Sequence, residues 1–79
     1  MTSRTNDDHL KAAFGETVRK YRIARGLSQE KLAECADIHR TYIGDVERGQ
    51  RNIALINMNR IALALGVPLS SLIRDMEKR

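Results

Sequence analysis

Apolar side chains recur along residues 9–25 at Leu10, Phe14, Val18, Tyr21 and Ala24. Steps of three and four residues put them on one face of a helix. Gly26 suits the left-handed residue that ends such a helix. Ser28 is a good N-cap for a second, shorter helix, and Glu30 in its first turn favours the positive end of the helix dipole. Leu32, Ala33, Cys35 and Ala36 supply its apolar side, so Cys35 is expected as a small buried hydrophobe. Asp37 and Ile38 form a turn: Asp tolerates a left-handed backbone, and Ile38 plugs the gap between helices. A third helix is predicted over residues 40–48, with Ile43 and Val46 inward and Arg40, Thr41, Gly44, Asp45 and Arg48 outward. Gly49 stops it. A loop over 50–54 leads to a fourth helix over 55–65, with a core stripe of Ile61, Ala62 and Leu65 and a stop at Gly66. A fifth, over 69–76, uses Leu69, Leu72, Ile73 and Met76. Pro68 is acceptable at its start, with Ser70 or Ser71 available as a cap. No strand pattern or internal repeat appears. The fold class is therefore all-α, a compact five-helix bundle. Residues 1–8 are polar and unpatterned and read as a flexible arm ahead of a single domain over 9–79.

The chain has 79 residues, enough for one small core and no second, ligand-sensing domain. No small-molecule effector is expected. Fourteen Lys and Arg against ten Asp and Glu give a net charge of +4, which modestly favours a polyanionic partner. There is no polybasic run, and residues 28–38 are net acidic, so charge alone does not account for tight binding. One Cys excludes an intramolecular disulfide and a multi-cysteine zinc site. His9 and His39 have no partners at metal-ligand spacing. No Gly-rich phosphate loop or nucleophile motif is present, so neither catalysis nor a cofactor or metal is expected. The first residues have no apolar signal core, and no stretch approaches the ~20 apolar residues of a membrane span. A cytoplasmic location without membrane association follows by default.

Residues 27–49 are the most informative stretch. Two short helices joined by a tight turn, the second opening on Arg40, Thr41 and Tyr42, are how a helix-turn-helix presents side chains to the major groove of double-stranded DNA. The segments LSQEKLAECADI, TYIGDVERG and IALALGV resemble the phage-repressor-like, Cro/C1-type helix-turn-helix family, from about Phe14 to Ile73. Within it, RTYIGDVERGQRNIAL looks most like the controller proteins of restriction-modification systems, which are small dimeric transcription regulators. The resemblance implies roles by position. Arg40 and Thr41 match the base-reading start of the recognition helix, where Arg can bond guanine O6 and N7 together and Thr can meet a thymine methyl. Asp45, one turn on, can accept from a cytosine amino group, or equally restrain Arg40 or Arg48. Ser28, Gln29, His39, Tyr42, Arg48, Arg51 and Asn52 fall where DNA-backbone contacts are expected.

Arg22 and Glu47 match a buried ion pair that ties the first helix to the third in this family. Two positions depart from its pattern. Asp37 stands where many relatives have Gly, which implies a slightly strained turn. His39 stands where Ser or Thr usually caps, leaving a phosphate contact or an exposed helix start as its roles, and its protonation adds pH dependence. One such domain makes few base contacts, so a homodimer on a two-fold operator is expected, with Ile56, Met58, Ile73 and Met76 at its interface. A rival reading is an antitoxin-like protein-interaction module that binds DNA secondarily. An RNA-binding role lacks the exposed aromatic platform of RNA modules.

Overall fold

The structure, a computed structural model, describes residues 4–78, with side chains from Asn6 onward. Five helices follow in order: α1 Arg4–Ala24, α2 Gln29–Ala36, α3 Arg40–Glu47, α4 Leu55–Leu65 and α5 Leu69–Glu77. The core joins Phe14 and Val18 of α1, Leu32, Ala33 and Ala36 of α2, Ile43 and Val46 of α3, Ile61, Ala62 and Leu65 of α4, and Leu72 of α5. No single helix among the described residues is long and apolar enough to cross a membrane.

The first four helices stop in the same way. After α1, α2, α3 and α4 the chain enters a positive φ at Gly26, Asp37, Gly49 and Gly66. Each stop is closed by two backbone hydrogen bonds, such as Ile38 N–H to Ala33 O and Asp37 N–H to Glu34 O. This closure satisfies the last carbonyls of a helix and needs a left-handed residue. Asp37 (φ 56°) is the one non-Gly residue among the described positions to take that conformation, at a cost of about 1–2 kcal/mol. Arg60 of α4 donates to its carbonyl at 3.3 Å and so pins the turn from outside.

Helix α1 begins at Arg4, not at residue 9. Residues 4–8 are thus helical rather than an arm, and residues 1–3 lie outside the described residues. Asn6, Asp7 and Asp8 are exposed, so no apolar period is needed there. Asp7 in its first turn suits the helix dipole, and Asp8 pairs with Lys11. Along α1 the buried face is Ala13, Phe14, Gly15, Thr17 and Val18, while Leu10 and Ala24 are exposed. The Tyr21 hydroxyl donates to Asp75 Oδ2 and ties α1 to α5. That bond holds the phenol above its ordinary pKa. Cys35 is exposed rather than buried. The buried positions of α2 are 32, 33 and 36, and at 100° per residue Cys35 falls beside that stripe, not within it. Helix α5 starts after Pro68 with no side-chain cap, so neither Ser70 nor Ser71 fills that role.

The tightest contact is where α1 crosses the end of α3. A Cβ on Gly15 would be driven into the Val46 carbonyl oxygen and stand 2.9 Å from that of Glu47. A Cβ on Gly49 would stand 2.9 Å from the Ala12 Cα. Gly in mid-helix costs about 1 kcal/mol relative to Ala, so Gly15 is explained by this approach and not by propensity. Gly15→Ala is accordingly expected to destabilise the fold by about 1–3 kcal/mol, lowering the melting temperature by several degrees. A thermal melt at or above that of the unaltered chain would show that α1 and α3 are not so close.

Candidate nucleic-acid interface

Helix α2 is capped as its sequence implies: the Ser28 hydroxyl accepts from Lys31 N–H at 2.9 Å. Helix α3 has an unusual cap. His39 Nδ1 accepts from Thr41 N–H at 3.2 Å, so His39 performs the task usually left to Ser or Thr. An imidazole can accept there only with Nδ1 unprotonated, which leaves the N–H on Nε2, turned to the other side of the ring. The cap therefore occupies Nδ1 alone and does not use Nε2.

The far end of α3 is held by charge. Arg22 grips Glu47 with two N–H groups, Nε to Oε2 at 2.7 Å and Nη2 to Oε1 at 3.0 Å. Its Nη1 donates to Leu27 O at 2.8 Å. Gln29 adds an amide donor to Glu47 Oε1 at 3.1 Å. The side chains of Arg22 and Glu47 are only 12% and 3% exposed. The hydrogen bonds to Glu47 raise the Arg22 pKa, outweighing the loss of water. α1, the start of α2 and the end of α3 thus meet at one carboxylate.

On the outer face of α3 the charges fall into two groups. Asp45 accepts from Arg48 Nη2 at 2.6 Å and from Arg51 Nε at 3.2 Å. The Arg51 guanidinium also lies over the Tyr42 ring, 4.8 Å from its centroid. Gly44, expected to face outward, is buried: it lies beneath the Arg48 guanidinium and the Gln29 side chain, and a Cβ there would stand 3.2 Å from Arg48 Nη1. By contrast, Arg40 and Thr41 are exposed, and among the described residues their side chains make no hydrogen bond or ion pair. The first turn of α3 presents free donors, while the cations beyond it are tethered.

Comparison with known proteins places this arrangement. A helix-turn-helix family model matches residues 18–72. The chain belongs to the helix-turn-helix family. It is 49% identical over 61 residues to control protein C.BamHI of Bacillus amyloliquefaciens, covering 76% of this chain and 75% of that protein. It is 41% identical over 70 residues to control protein C.MunI of Mycoplasma sp, covering 87% and 95%. The restriction-modification controller protein C.AhdI of Aeromonas hydrophila superposes with a TM-score of 0.77 at 45% identity, covering 78% of this chain and 94% of that one.

In a helix-turn-helix regulator α3 is the helix that enters the groove and α2 crosses the DNA backbone. The side chains named from the sequence divide accordingly. Arg40 and Thr41 stand exposed at the N-terminal end of α3. Ser28, Gln29 and His39 sit at helix starts with polar atoms already engaged. Arg48, Arg51, Tyr42 and Asp45 form one cluster, with Asn52 exposed in the following loop. The four residues expected at a dimer interface do not share an exposure. Ile56 is 66% exposed, but Met58, Ile73 and Met76 are partly buried against the chain's own core. The apolar surface that the sequence reading passed over is Leu55 (68%) and Leu63 (69%). With Ile56, they occupy one side of α4 at the i, i+1 and i+8 positions, a stripe that periodicity could have revealed. Among the described residues no group of three or more His, Cys, Asp or Glu could hold a metal ion.

The ion pair yields a direct test. Glu47→Ala leaves the Arg22 charge buried and is expected to cost roughly 3–5 kcal/mol. A calorimetric melt unchanged from that of the unaltered chain would remove the structural role assigned to the pair.

Proposed function

We propose that the protein is a restriction-modification controller that acts as a homodimer on a two-fold operator. Arg40 and Thr41 read base edges in each half-site, and Ser28, Gln29, His39, Tyr42, Arg48, Arg51 and Asn52 provide the backbone contacts. The observation that carries this reading is the free pair of side chains on the first turn of α3, at the exposed end of a helix whose other end is fixed to the scaffold. Similarity to the control proteins supports the regulatory assignment. A cytoplasmic location accords with such a role, and no effector or cofactor enters it.

The partner surface is the outward stripe of Leu55, Ile56 and Leu63 on α4, in place of Met58, Ile73 and Met76. Apolar side chains of this size gain about 1.5–3 kcal/mol each on full burial, and a two-fold interface buries each residue twice. Helix α4 packs chiefly on α2 and α5, so a partner copy on its outer side leaves Arg40 and Thr41 uncovered. Half-sites would then lie about one helical turn, roughly 34 Å, apart.

Two measurements check these assignments. Binding is compared between duplex DNA from upstream of the protein's own gene and a scrambled duplex, at several salt concentrations. A preference on the order of a thousandfold that survives moderate salt is expected. Arg40→Ala should cost about 1–3 kcal/mol and relax discrimination at one base pair per half-site. An equal loss on both duplexes would demote Arg40 to a phosphate contact. In sedimentation at micromolar concentration, Leu63→Glu should shift a dimer to a folded monomer. A dimer undisturbed by that change would place the interface elsewhere.

A further inference from the structure

We propose that Asp45 determines specificity without touching a base, by holding Arg48 and Arg51 in the one arrangement that fits the backbone of a correctly placed operator. The inference rests on the DNA-binding reading above and adds a residue that works against indiscriminate binding. Both Asp45 oxygens are occupied, one by each arginine, and the side chain is 20% exposed. A cytosine amino group could bond it only by sharing an oxygen that already accepts from an arginine. The three side chains together carry one net positive charge rather than two.

Non-specific binding depends on how many phosphates the cations can neutralise. Arginines free to swing would follow the phosphates of any sequence in any register. Arg48 and Arg51 are not free. Asp45 fixes an N–H of each, and the Arg51 guanidinium lies over the Tyr42 ring. A guanidinium has five N–H donors, so each arginine retains donors for a phosphate without leaving Asp45. A phosphate in the right place can be gripped at no cost in side-chain ordering. One out of place must pull an arginine from its carboxylate. The tether therefore weakens binding to the wrong sequence more than to the right one.

The test is Asp45→Asn, with affinity measured against salt on the scrambled and upstream duplexes. On the scrambled duplex the variant should bind up to about tenfold tighter, with the slope of log K against log salt steeper by about one. On the upstream duplex affinity should change less, so the preference falls by up to about tenfold. In a protein already carrying Arg48→Gln and Arg51→Gln, Asp45→Asn should no longer change the slope. Unchanged affinity and slope on the scrambled duplex would overturn the inference. So would equal tightening on both duplexes, or a loss confined to one base pair of the half-site, which would make Asp45 a base reader. If Asp45→Asn does not fold, the arginine double variant decides: it should lose binding mainly on the upstream duplex, and an equal loss on both overturns the proposal. A chain that never prefers the upstream duplex defeats the operator reading at that promoter, while the scrambled-duplex comparison still tests Asp45.

Discussion

The buried carboxylate of Glu47 is the point on which the placement of α3 depends. A close-packed core can hold a short helix in several rotations about its axis, because Ile43 and Val46 are apolar and tolerate small rearrangements. The Glu47 contacts are less forgiving. Two parallel N–H donors from Arg22 fix both distance and plane, and Gln29 brings the start of α2 to the same oxygen. Beside them, the Gly15 backbone lets the last carbonyls of α3 lie against α1. An eight-residue helix spans about 10 Å from its first to its last Cα. A tilt of about 10° at the Glu47 end would therefore move Arg40 by about 2 Å, more than a hydrogen bond tolerates. The position of the Arg40 end is set by the clamp at the opposite end.

That clamp is not explained by net stability. An ion pair this buried often contributes less than well-packed apolar residues of the same volume would. Its use here is orientation. The same reasoning separates two carboxylates of α3 that are neighbours in sequence. Asp45 and Glu47 are two positions apart, about 200° around the helix. Glu47 points inward and is sealed from water, so its pair is rigid. Asp45 lies at the surface, where solvent screens its bonds to Arg48 and Arg51. Ion pairs of the same chemistry thus form a joint sealed from water on one side of the helix and a partly exposed tether on the other, with burial setting the difference.

Much of this was legible in the sequence because helix ends carry chemical signals. Ser28, Gly49 and Gly66 marked boundaries that the structure reproduces, and Asp37 was recognisable as a left-handed turn residue. The start of α1 was not legible, since a helix projecting from the body needs no apolar face. Gly15 was passed over because a periodicity search counts side chains and a close backbone approach has none. Its signal was a Gly kept in mid-helix despite its cost. Cys35 was assigned by residue type where angular position decides. Met58, Ile73 and Met76 are apolar enough to serve either a core or a surface, and the packing shows that they lie partly buried against the core.

The candidate residues could be named from the sequence, but not which of them are tied to one another. Sequence put Arg40, Thr41, Asp45, Arg48 and Arg51 on or beside one helix and could not say which are free. That distinction follows from reach. Arg40 follows the His39 cap at the N-terminal end of α3, where the described structure gives it no acidic partner. Arg48 and Arg51 follow Asp45 at three and six residues, and both reach it. One end of α3 thus carries exposed side chains and the other carries cations tied to a carboxylate. Three arginines free to move would follow phosphates in any register, since phosphate contacts carry no sequence information.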